Sequence, residues 1–163
     1  MKDNTFHLVS LGCAKNTVDS ASMGQMLAEA GYRSVSEARQ ARVLIVNTCG
    51  FIGPAREESL QVLGELAEKK RPGQLLIAAG CLTQRYGAEV VRQVPGIDGI
   101  LGTRRWMDIV QVVDSLRQGT HPAPLYHLPE APSVGQDEGN VLRAAIQGRS
   151  AYLKIADGCR RPC

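Results

Sequence analysis

Val43-Leu44-Ile45-Val46-Asn47-Thr48-Cys49 decides the fold: an unbroken apolar run of this length reads as a strand buried on both faces, the signature of a parallel sheet. Two further runs repeat the form. Phe6-His7-Leu8-Val9-Ser10-Leu11 leads through Gly12 to Cys13, and Leu75-Leu76-Ile77-Ala78-Ala79-Gly80 leads directly to Cys81. The carboxyl ends of the strands in an open parallel sheet share one edge, and ligands bind in the crevice outside it. Adjacent strands lie about 4.8 Å apart, so thiols distant in sequence are expected to converge on one small object. Three such sulfurs suggest a metal or iron-sulfur ligand set.

Strand signals alternate with helical periodicity from residue 6 to about residue 118, the pattern of βαβ units. The first helix is expected to start just after Cys13, with Asn16 as its cap, Asp19 three residues on, and Gly31 at its end. Gly53-Pro54 opens the second, which carries Glu57 and Glu58 early, Lys69-Lys70-Arg71 late, and stops at Pro72-Gly73. A third runs from Thr83 to Pro95-Gly96. Gly99-Ile100-Leu101 reads as a short strand, and a fourth helix capped by Thr103 closes at Gly119.

Residues 119–140 hold four of the eight prolines and no sustained periodicity, and they read as an interdomain linker. Ala151-Tyr152-Leu153-Lys154-Ile155 then signals a strand that leads toward Cys159 and Cys163. With no partner in view, this strand is expected to be the first element of a second domain. The expected organisation is therefore a cluster-binding α/β domain at 1–118, a linker at 119–140, and the start of another domain at 141–163.

Composition narrows the function classes. The 163 residues are 44% apolar, which suits a buried core, and 19 basic against 16 acidic residues leave a net charge of only +3, too small to imply a nucleic-acid partner. No stretch approaches the roughly 20 apolar residues of a membrane-spanning helix. The N-terminus lacks a signal peptide's apolar region, so a cytoplasmic protein is expected. The five cysteines, an odd number placed near strand ends, suit a reducing compartment with metal or redox chemistry better than a disulfide framework.

Iron-sulfur clusters are held by thiolates, usually four, so a site with three protein ligands leaves one metal position open. Helices starting after Cys13, Cys49 and Cys81 would aim their N-terminal amides at the same crevice and favour an anionic occupant. Three alternatives stand beside this reading. Cysteine commonly serves as a small buried hydrophobe. Zinc on three cysteines and a histidine competes, but His7 lies within a strand and His121 and His127 within the linker, so all three read as structural or solvated. A non-catalytic, flavodoxin-like redox module is the third. Cys159 and Cys163 form a C-x3-C pair that says little alone. Neither G-x-G-x-x-G nor a P-loop occurs, and Asp19, Glu57, Glu58 and Arg85 read as capping or solvated residues in early helical turns.

Four segments together resemble the radical-SAM methylthiotransferases: Leu11-Gly12-Cys13-Ala14-Lys15-Asn16-Thr17-Val18-Asp19-Ser20, Asn47-Thr48-Cys49-Gly50-Phe51-Ile52, Ala79-Gly80-Cys81-Leu82-Thr83-Gln84-Arg85-Tyr86 and Tyr152-Leu153-Lys154-Ile155-Ala156-Asp157-Gly158-Cys159. They span nearly the whole chain in the family's order. The wording at Ala14-Lys15 and Gly50-Phe51-Ile52 is similar to the branch that modifies an aspartate of ribosomal small-subunit protein twelve, rather than to the tRNA-modifying branch. Ala21 departs from the glutamate that family members often carry there.

The resemblance implies that Cys13, Cys49 and Cys81 hold an auxiliary 4Fe-4S cluster whose open iron carries the sulfur or methylthio group. It implies that Cys159 and Cys163 are the first two ligands of a C-x3-C-x2-C set for a second 4Fe-4S cluster in a radical-SAM barrel. That cluster cleaves S-adenosylmethionine to a radical, and a second S-adenosylmethionine supplies the methyl group. On this reading the 163 residues are a piece of a longer polypeptide, expected to be inactive alone and unable to hold the second cluster.

Overall fold

Hydrophobic periodicity resolves into a six-stranded parallel sheet in the computed structural model, which describes residues 4–119, 123–128 and 141–156. Its strands are β1 (Thr5–Ser10), β2 (Arg33–Ser34), β3 (Val43–Thr48), β4 (Leu75–Gly80), β5 (Gly99–Gly102) and β6 (Leu125–His127), in the spatial order β2-β1-β3-β4-β5-β6. Four α-helices flank it: α1 (Ala14–Glu29), α2 (Gly53–Lys69), α3 (Cys81–Gln93) and α4 (Ile109–Gln118).

Both faces of the central strand β3 are dry. Val43, Leu44, Ile45 and Val46 are each no more than 1% exposed. Val43, Ile45, Ile77, Ala79 and Leu101 point to the layer of α1 and α4, where Met23, Leu27, Ile109 and Val113 meet them. Leu44, Val46, Leu76, Ala78 and Ile100 point the other way, to Leu63 of α2 and to Leu82 and Val90 of α3. The period-2 alternation thus serves two cores at once, which is why Val43–Val46 and Leu76–Ala79 lack polar positions.

Helix ends follow local chemistry. At Gly31 (φ +86°) the Tyr32 amide donates to Leu27 and the Gly31 amide to Ala28, closing α1 in a Schellman motif that needs a left-handed residue. Pro54 sits in the first turn of α2, where its missing N–H costs nothing. Three local expectations shift. Asn16 lies inside α1, because the chain at Cys13 is extended and Cys13 itself occupies the cap position. α3 starts at Cys81 rather than Thr83. Thr103 opens a 3₁₀ segment, Thr103–Asp108, and α4 follows it.

Two differences concern the later residues. Leu125–His127, inside the stretch expected to be linker, pairs in parallel with β5 (Gly99↔Leu125) and adds an edge strand to the sheet. The strand expected near 151–155 is not alone: β8 (Ser150–Leu153) pairs antiparallel with β7 (Ala144–Gln147) across a two-residue turn, and this hairpin packs on α1. Val141, just before it, joins the core of α1 and α4.

Candidate metal centre

The chain crosses from β1 outward to β2, then returns to the other side of β1 with β3. Strand order therefore reverses between β1 and β3, and a crevice opens at the carboxyl ends of such a pair. Cys13 follows β1, Cys49 follows β3, and Cys81 follows β4, the next strand in the sheet. Ser10 is level with Asn47, and Asn47 with Ala79, so the three strands end together. All three cysteines are free thiols at one edge, Cys13 exposed, Cys81 partly buried and Cys49 buried.

A polar bracket joins the three loops. Asn16 is 1% exposed; its Nδ2 donates to the Leu11 carbonyl (2.8 Å) and the Thr48 carbonyl (2.9 Å), and its Oδ1 accepts from Cys81 Sγ at 3.9 Å. Asn47 Nδ2 donates in turn to the Asn16 carbonyl and to Ser20 Oγ, and Ser20 donates to Ser10. Ser59 of α2 folds back on Cys49, its hydroxyl accepting from the Cys49 amide and donating to the Cys49 carbonyl, both at 3.0 Å. Gly12 (φ +89°) lies so close to Cys49 that a Cβ there would sit 2.5 Å from the Cys49 Cβ and 2.8 Å from its sulfur. Asn47, polar inside an otherwise apolar strand run, is the one sequence feature from which this bracket could have been suspected; the bracket roles of Asn16 and Ser59 had no such signal.

Electrostatically the edge favours an anion. α1, α2 and α3 all begin after strands that end at this edge, and none has a side-chain N-cap, so their first amides lack both intrahelical and side-chain cap partners. Burial pushes the Cys81 thiol above its ordinary value; a hydrogen bond from Thr103 opposes this, charge on Cys49 and Cys13 adds to it, and Lys15 opposes it. Cys81 thus senses charge on both of the other edge cysteines.

The donor set contains sulfur alone. His7 is engaged with the Val35 carbonyl (3.0 Å), and His127 with Asp108 (2.7 Å). Asp19, expected to cap or to be solvated, is instead buried and paired with Arg143 and Lys154. Among the described residues no three His, Cys, Asp or Glu side chains are grouped tightly enough to clasp a single metal ion. A cube of iron and sulfide is a larger object that spaces its thiolates further apart, and a thiolate-only set with uncapped helix termini suits its softness and negative charge. Cys159, Cys163 and His121 lie outside the described residues. Among those described, no helix is long and apolar enough to cross a membrane.

The sequence is similar to those of known proteins. The family model described as uncharacterized protein family UPF0004 matches residues 5–102, the span from β1 through β5 that contains all three thiols of the edge. The chain is 43% identical, over 97% of its length, to a protein from Roseiflexus sp. strain RS-1 named ribosomal protein uS12 methylthiotransferase RimO. It is 43% identical over 97% to the protein of that name from Chloroflexus aurantiacus, and 41% identical over its whole length to that from Syntrophus aciditrophicus. It spans 36–37% of the length of these relatives. The chain belongs to the UPF0004 family, the N-terminal domain of the methylthiotransferases.

Proposed function

We propose that this chain is the part of a methylthiotransferase that holds an auxiliary 4Fe-4S cluster on Cys13, Cys49 and Cys81, in an enzyme that modifies an aspartate of a small-subunit ribosomal protein. The observation that carries the reading is the gathering of three free thiols at the ends of three adjacent parallel strands, beside the reversal of strand order. The relatives' names supply the reaction and the substrate. When bound, the cluster would supply an open iron at which a sulfur atom can be held for transfer.

The chain's own residues do the rest. Asn16 and Asn47 hold the three loops at a fixed spacing, and Ser59 fixes the backbone that presents Cys49. The amides at the starts of α1, α2 and α3 offset the negative charge of thiolates and sulfide. Cys13 is the exposed member of the three. Cys159 and Cys163 would contribute to a second cluster with S-adenosylmethionine as co-substrate, completed by a third cysteine supplied outside these 163 residues. A reducing, cytoplasmic setting suits thiols kept free for metal.

The test is anaerobic reconstitution of the chain with iron and sulfide, followed by metal and acid-labile sulfide analysis. About four irons per chain are expected at the edge, with loss in Cys49→Ala. A chain that folds yet takes up no iron, or a Cys49→Ala variant that loads fully, overturns the reading. Methylthio transfer by the longer polypeptide to a peptide of the ribosomal protein then tests the substrate.

A further inference from the structure

A buried carboxylate on α1 organises the later residues. Asp19 is 3% exposed and accepts from Arg143 Nη2 at 2.5 Å and Lys154 Nζ at 2.8 Å. These two cations come from the two arms of the 141–156 segment, one just before β7 and one just after β8. Arg143 also donates to Ser22 Oγ (2.7 Å), and its guanidinium lies 3.8 Å over the Trp106 ring. Ser22 donates to the Leu142 carbonyl, and the Leu142 amide donates to Gln25. Asp19, Ser22 and Gln25, spaced three apart on α1, thus grip the segment along one helical face.

Apolar contacts would dock a hairpin at lower desolvation cost than two cations converging on one buried carboxylate. What ionic geometry adds is register: the carboxylate accepts both cations in only one placement of the segment. α1 begins immediately after Cys13, and Lys154 stands five residues before Cys159. The docked strand also walls a cavity of about 360 Å³ with Ala14, Lys15 and Val18, at the end of α1 nearest Cys13.

We propose that Asp19 is a positioning residue that, by holding Arg143 and Lys154, fixes the strand leading to Cys159 and Cys163 against the helix that starts at Cys13. One buried carboxylate thereby fixes where that strand lies on the helix. Its bearing on cluster placement rests on reading Cys13, Cys49, Cys81, Cys159 and Cys163 as cluster ligands.

The test is residue-resolved amide hydrogen exchange on the whole chain, comparing wild type with Asp19→Asn, Asp19→Glu and Lys154→Met. A two-stranded hairpin has little stability of its own, so Asp19→Asn is expected to speed exchange of residues 144–153 about tenfold or more, with β3 and β4 unchanged. Asp19→Glu restores part of the protection because the charge is kept, and Lys154→Met gives a smaller rise. Iron uptake stays at the wild-type level in all three. Unchanged hairpin exchange, a rise shared equally by β3 and β4, or no rescue by glutamate overturns the proposal. Absence of iron in the wild type would instead remove the cluster reading and leave the docking result standing.

Discussion

The Asn16 carboxamide faces the Cys81 sulfur at 3.9 Å while its nitrogen ties the Leu11 and Thr48 carbonyls together. One side chain therefore touches the loops of all three edge cysteines. Its place inside α1 is fixed by the helix, so the loops inherit the helix's rigidity. Asn16→Ala leaves two backbone carbonyls without their donor, at about 1–3 kcal/mol for each buried group. The expected outcome is a lower urea midpoint in the metal-free chain together with fewer irons after reconstitution. Asn16→Asp keeps the shape but loses both donated bonds and adds charge beside the thiols, so iron loading falls at least as far. Full loading in both variants would show that the thiols keep their spacing without the bracket.

Gly12 and Gly31 separate strain from collision. Both have left-handed φ, +89° and +86°, so alanine at either carries a backbone penalty of about 1 kcal/mol. At Gly31 nothing lies within 4 Å of the added methyl, whereas at Gly12 the methyl meets Cys49. Gly31→Ala is expected to cost that penalty and load iron normally. Gly12→Ala should cost more, about 2–4 kcal/mol with the overpacking included, and lose iron because Cys49 is displaced. Thermal unfolding and iron analysis of the pair distinguish the two effects. Equal behaviour of the two variants would mean that the Gly12 contact with Cys49 relaxes freely.

The sheet was legible because Val43–Val46 and Leu76–Ala79 are buried on both faces and carry no polar position to blur the pattern. The placing of Cys13, Cys49 and Cys81 after the ends of three adjacent strands follows from parallel topology alone. What sequence misread had non-local causes. Asn16 carries the usual signal of a helix cap, but Cys13 takes that position and leaves the asparagine to bond across loops. Leu125–His127 sits among prolines, tolerable only because β6 is a three-residue edge strand. Asp19 looked solvated because its partners lie 124 and 135 residues away, beyond any local pattern.

Cys81 is expected to be a reluctant nucleophile in the metal-free chain. The thiolate is the reactive form, and burial raises the pH at which it appears above the ordinary cysteine value of about 8.5. Alkylation of Cys81 by iodoacetamide, followed by peptide mass analysis against pH, should therefore trail that of exposed Cys13. The Thr103 hydrogen bond lowers the value, so Thr103→Ala shifts the profile further upward. Lys15→Met moves it the same way, by removing a favourable charge. A profile for Cys81 that matches a free thiol would contradict the burial seen for it.

Tyr32 gives stability an alkaline limit. Its hydroxyl donates to Asp114 at 3.1 Å and accepts from Arg117 at 2.9 Å, and its ring is buried against α1 and α4. Burial raises its pKa, outweighing the lowering by Arg117, while the Asp114 charge adds to the rise. The folded state therefore favours the neutral phenol. That contribution is complete below the unfolded value of about 10 and is lost as pH climbs through the raised folded value. Tyr32→Phe removes both hydrogen bonds, and about 1 kcal/mol of stability should go with each near neutrality. The same variant has no phenol to ionise, so its urea midpoint should decline less steeply than wild type above about pH 10. Two parallel curves, offset by a constant amount across the alkaline range, would place the alkaline titration in another group.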